Sequence, residues 1–99
     1  MAAGLLKVSA KSNPNAVAGA LAATLRERES AELQAVGAGA INQAVKAVAI
    51  ARTYLHANDL DAVCTPSFIT VEIGETERTG ISLLVERKIT TTQDRIEET

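Results

Sequence analysis

Aromatic residues are almost missing from this chain. Tyr54 and Phe68 are the only two, and there is no tryptophan. Ring-bearing side chains supply much of the buried area in ordinary small cores. Ala, Val, Leu and Ile must therefore fill this one, and a core so built gains from an added interface. Cysteine is equally scarce. The single Cys64 excludes an internal disulfide, which fits a reducing compartment. No apolar run approaches the roughly 20 residues of a membrane span, and the opening Met1–Lys7 stretch is too short in apolar length for a signal-peptide core. A cytoplasmic protein with no membrane partner is the expectation.

An excess of positive charge is lacking too. Ten Lys and Arg stand against twelve Asp and Glu, unlike the clear basic surplus of a general polyanion binder. Chemistry-bearing residues are few. His56, the sole histidine, falls near a helix end, where it serves as a solvated or dipole-stabilising group. Cys64, in a strand of apolar character, reads as a buried structural thiol. One His and one Cys give no zinc spacing, and no nucleophile–base pair has spacing support. The chain is expected to have no catalytic residues, no metal and no cofactor, and not to be an enzyme.

What is present is a run of well-marked elements in 99 residues, enough for one domain. Leu5 to Ser9 reads as a strand. Asn13 or Asn15 can cap the following helix, with Pro14 in its first turn. That helix runs from Ala16 to about Glu29, with Val17, Leu21 and Leu25 on one face and a charged end at Arg26–Glu29. Glu32 to Val36 reads as a second strand, and Gly37-Ala38-Gly39-Ala40 as a tight turn into a helix from Ile41 to about His56. Two strands complete the order. One spans about Ala62 to Ile73 with an interruption near Pro66, and the other spans Thr79 to Arg87. Gly74–Arg78 would be the hairpin loop between them. Residues 1–88 form the domain. Residues 89–99 are polar and acidic without an apolar face, and read as a disordered tail.

The second helix carries Ile41, Ala44, Val45, Ala47, Val48, Ala49, Ala51, Tyr54 and Leu55 over more than half its circumference. That exceeds what one sheet covers, so a homodimer or higher homo-oligomer is expected, with Val48, Arg52 and Leu55 in its interface. Arg52 falls inside the apolar arc, its stem packed and its head paired. At the other end of this helix, Gly37 and Gly39 follow a strand and open the helix. Phosphate can approach backbone N–H groups in that context. The third glycine of the dinucleotide fingerprint is absent, with Asn42 in its place. A tight turn, a small anion, or contact with a nucleic-acid backbone all remain open there.

Two stretches are recognisable. Leu6-Lys7-Val8-Ser9-Ala10-Lys11-Ser12-Asn13-Pro14-Asn15, with Val17–Leu21, resembles the start of the stage V sporulation protein S family. The run from Gln34 to Arg52 is similar to that family's most specific stretch. The resemblance covers residues 5–88. The family in turn resembles Alba, the archaeal chromatin and RNA-binding protein. It implies an α/β (α+β two-layer) fold, β-α-β-α-β-β, with two helices packed on one four-stranded mixed sheet, and a dimer. It also implies weak, sequence-tolerant nucleic-acid binding along the first loop, the turn before the second helix, and the hairpin. The residues so placed are Lys11, Ser12, Asn13, Gly37, Gly39, Asn42, Gln43, Lys46 and Arg78. Departures are plain. Ser12 replaces one lysine of Alba's pair, Gly37-Ala38-Gly39 stands where Alba has Arg-Gly-Arg, and the basic hairpin is here short, with Glu75 and Glu77 beside Arg78. Each loss removes a phosphate contact. The rival expectation is a protein-interaction module in sporulation or developmental regulation.

Overall fold

The computed structural model describes residues 4–90. Local sequence explains how its first helix starts. Asn13 is extended, and its Oδ1 accepts from the backbone N–H of Asn15 at 2.8 Å and of Ala16 at 3.4 Å. Pro14 supplies a helical φ where its missing N–H would have had no partner. The helix therefore begins two residues before the expected Ala16, as α1, Pro14–Glu27. Ala18, Leu21, Ala22 and Leu25 form its buried stripe, while Val17 is only partly covered.

The other elements are β1 (Leu5–Val8), β2 (Ser30–Ala35), α2 (Ala38–His56), β3 (Leu60–Ile73) and β4 (Thr76–Ile89). The sheet order is β1-β2-β4-β3, with β1 parallel to β2 and the other two pairings antiparallel. Two helices pack on one face of this mixed sheet, giving the expected two-layer α+β architecture. The core between the layers is made of Val8, Leu33, Leu83 and Val85 from the sheet, Leu21 and Leu25 from α1, and Val48 and Leu55 from α2, with alanines filling the rest.

Three expectations need correction. Pro66 does not interrupt β3, whose ladder with β4 is continuous from Leu60↔Ile89 to Ile73↔Thr76. Thr90 N–H donates to the Asp59 carbonyl at 3.0 Å, so odd-numbered residues of β3 turn their N–H and C=O groups toward β4. Even-numbered ones turn outward. Pro66 is even, and its missing donor falls on the free edge. The hairpin loop is not Gly74–Arg78 but the two residues Gly74-Glu75, with Gly74 at φ 64°. The hairpin is accordingly long. The β2–β4 ladder stops at Ala35↔Ile81, so residues 69–80 overhang the sheet as an arm, and the molecule measures 52 × 26 × 21 Å. β4, Thr76–Ile89, also extends beyond both ends of the expected Thr79–Arg87, and residues 91–99 of the proposed tail lie outside the described residues.

Cys64 is exposed. It shares its face of β3 with Ala62, Pro66 and Phe68, and only Ala62 lies under the helices. Apolar neighbours in sequence did not bring burial at a strand on the sheet's margin.

Candidate nucleic-acid interface

The β1–α1 loop is a tight turn held by serines. Ser12 N–H donates to the Ser9 carbonyl at 3.0 Å, Ser9 N–H to Ser12 Oγ at 2.9 Å, and Lys11 N–H to Ser9 Oγ at 3.2 Å. Lys11 stands exposed at its apex. Ser12 is thus a loop-shaping residue, and Asn13 is occupied as the α1 cap.

The turn into α2 lies against this loop. Gln43 Nε2 donates to the Ser12 carbonyl at 3.0 Å. A Cβ on Gly39 would come within 3.0 Å of the Ala10 Cβ, so the glycine permits close approach of the two segments. Gly37 is the α2 N-cap at φ 91°, ψ 155°, with no side chain to accept from the first-turn N–H groups. Those donors are left for solvent or an anion. Asn42 and Lys46, one turn apart on α2, are exposed on the turns that follow. Eight of the nine expected contact residues therefore belong to the first loop, the turn into α2 and the start of that helix.

Arg78 stands apart. It lies three residues beyond the last β2–β4 pair, about 10 Å along the arm at 3.3 Å per residue. The arm leaves the same end of the sheet as the loops, but no hydrogen bond ties it to them among the described residues. Its charge is acidic. Glu72 is directly opposite Glu77 in the ladder, and Glu75 is in the turn. Counting this end of the molecule, the three positive charges of Lys11, Lys46 and Arg78 are balanced by the three negative charges of Glu72, Glu75 and Glu77. At this end of the molecule the lysines belong to the loop cluster and to α2, and the carboxylates to the arm.

The residues expected in an oligomer interface divide. Leu55 is fully buried and Val48 nearly so, both inside the chain's own core. Arg52 is exposed, with its guanidinium paired to Asp61 of the same chain. The apolar surplus of α2 that does reach the surface is Val45, Ala49 and Tyr54. Phe68, 81% exposed, adds to it from β3 on the same side of the sheet. Sequence reasoning missed Phe68, although a lone ring alternating out of a marginal strand was the available signal.

Among the described residues no group of three His, Cys, Asp or Glu side chains could hold a metal ion, and no helix is long and apolar enough to cross a membrane. The family model of stage V sporulation protein S matches residues 4–88. The chain belongs to the stage V sporulation protein S family. The match takes in β1 to nearly the end of β4, and so includes the loop cluster and the whole arm.

Proposed function

We propose that this protein is a non-catalytic cytoplasmic regulator that works as a homodimer in sporulation or a related developmental programme, contacting nucleic acid weakly and without sequence preference. One observation carries the reading. The Gln43–Ser12 bond and the Gly39–Ala10 contact hold the Lys11 loop against the uncapped start of α2, and exposed Lys46 follows three residues after Gln43 on the same helix. Lysine ammonium groups and backbone N–H donors together suit phosphate oxygens and read no base. Asn42 is exposed next to them as a further polar contact, whereas Gln43 holds the loop. The exposed Val45, Tyr54 and Phe68 support self-association, which would double the patch.

A salt series of binding to duplex DNA and to RNA tests this. Each neutralised phosphate adds about −0.9 to the log–log slope on duplex. Two lysines per subunit give a dimer a slope on the order of −2 to −4. Lys11→Glu with Lys46→Glu should abolish binding and leave the mass unchanged. Absence of binding by the wild type at low salt would sink the reading. The Glu72–Glu77 pair on the arm then favours the second one, in which the arm engages a protein partner of opposite charge.

A further inference from the structure

We infer that the outer edge of β3 between Ser67 and Ile73 pairs antiparallel with the same segment of a second copy, about a two-fold axis at Thr70. The inference does not rest on the nucleic-acid reading. β3 lies at the margin of the sheet and pairs only with β4 among the described residues. A long flat edge is a template for another strand, and proteins blunt such edges with lysines, bulges or proline. Here the register runs without a bulge, and β3 contains no lysine. Its one proline, Pro66, guards the lower half alone. From Ser67 to Ile73 the edge is Ser-Phe-Ile-Thr-Val-Glu-Ile, rich in residues that favour strands.

The backbone parity chooses the register. Phe68, Thr70 and Glu72 direct their N–H and C=O groups outward, since Thr90 N–H meets the Asp59 carbonyl on the inner side. With the axis at Thr70, Thr70 opposes its own copy and Phe68 opposes Glu72 of the second copy. Each of these pairs can exchange two backbone hydrogen bonds. Pro66, which has no donor, falls opposite Gly74 of the second copy, where the strand ends in the turn. The ladder therefore stops at both ends where the sequence stops it. An axis at Phe68 would set Pro66 opposite Thr70 inside the ladder. An axis at Glu72 would set two carboxylates face to face, which is unfavourable.

Side chains agree with this register. Ile69, Val71 and Ile73 line one face of the arm, and pairing brings Ile69 opposite Val71 of the second copy in one apolar band. On the other face Phe68, now 81% exposed, would be covered by the Glu72 stem of the second copy. An unrelated extended peptide would satisfy the same backbone groups, but would have no reason to end at Pro66.

Cross-linking tests the axis. In a Cys64→Ser chain, Thr70→Cys places two thiols at a pair with Cα atoms about 5.5 Å apart, within disulfide reach. Under mild oxidation it should form covalent dimer at least about tenfold faster than Ser67→Cys, whose copies lie about 20 Å apart in this register. Phe68→Cys with Glu72→Cys should also cross-link. Adding Thr70→Pro, which removes only an outward N–H, should abolish that product while the melting curve stays put. Equal rates at positions 67 and 70, or cross-linking indifferent to Thr70→Pro, would overturn the proposal. So would a Thr70→Cys chain that cross-links only after removal of residues 91–99, because the edge would then belong to the chain's own tail.

Discussion

Asp61 takes two hydrogen bonds from one guanidinium: Arg52 Nε at 2.7 Å and Nη2 at 3.0 Å. Arg52 is on the last turns of α2 and Asp61 opens β3, so the pair clamps the helix end to the sheet margin. The Ala62 N–H also donates to Asp61 Oδ1 at 2.7 Å, and His56 Nε2 lies 3.4 Å from Oδ2.

This clamp sets an acid limit on stability. The Arg52 hydrogen bonds hold the Asp61 carboxyl well below its ordinary range, with the Ala62 N–H adding to the effect and partial burial opposing it. Glu32 is lowered as well, by the Ser82 hydroxyl at 2.7 Å and then by the Gln34 amide. For both groups the folded value is the lower one. Their contribution is complete above the unfolded value near 4 and declines as pH falls below it. Thermal melts should therefore be flat from neutral pH to about 5 and fall below 4. Asp61→Asn should flatten the acid branch and lower stability at pH 7 by about 1 kcal/mol. An unchanged acid branch in Asp61→Asn would show that other carboxylates control it.

Val48 and Val45 separate folding from assembly. Val48 faces the core, so Val48→Glu buries an unpaired carboxylate and should unfold the chain. Val45 is 53% exposed, and Val45→Glu should leave the melt within about 0.5 kcal/mol of wild type. If α2 contributes to an oligomer, light scattering will register Val45→Glu as a loss of mass at an unchanged circular-dichroism spectrum. A mass equal to wild type excludes this face.

Restoring arginine to the turn before α2 should weaken the protein before it strengthens binding. Gly37 has φ 91° and ψ 155°, a region occupied almost solely by glycine, where a side chain is strained by about 1–3 kcal/mol. A side chain at Gly39 meets Ala10 at 3.0 Å and would push the first loop away. Both variants should melt lower than wild type. A Gly39→Arg protein with undiminished melting temperature would mean that the loop yields freely.

Gly80 is less forgiving. A Cβ there would stand 2.8 Å from the Ala35 carbonyl oxygen and 2.9 Å from Val36 Cγ2. Gly80→Ala should therefore part the arm from the end of β2. Amide exchange at Ile81 and Ala35 should rise more than at Leu33 or Val85, which lie deeper in the same ladder. Uniform protection across the ladder would show that the backbone absorbs the methyl group.

The fold was legible because its signals are local. Alternation at Ile69–Ile73 and Ile81–Val85, and four-residue spacing along α1, each name their element without tertiary help. The errors arose where direction mattered. Pro66 reads as a break unless it is known which way its nitrogen faces, and Cys64 reads as buried unless it is known that the helices cover only the start of β3. The loop cluster was only half legible. Gly37 and Lys11 could be singled out from sequence, but the Gln43–Ser12 bond joins residues 31 apart and leaves no local trace.

The alanines between the layers have an entropic consequence. Nine of the seventeen buried apolar residues described are alanine, among them Ala18 and Ala22 on α1 and Ala44, Ala47 and Ala51 on α2. An alanine has no rotamers to lose on folding, whereas an ordered leucine loses about 0.5–1 kcal/mol. At these nine positions the core is filled with no side-chain freezing, which offsets the small apolar area each residue brings. The same property leaves it no freedom to adjust. A methyl group cannot swing aside, so a larger residue at Ala47 or Ala51 must displace a whole helix.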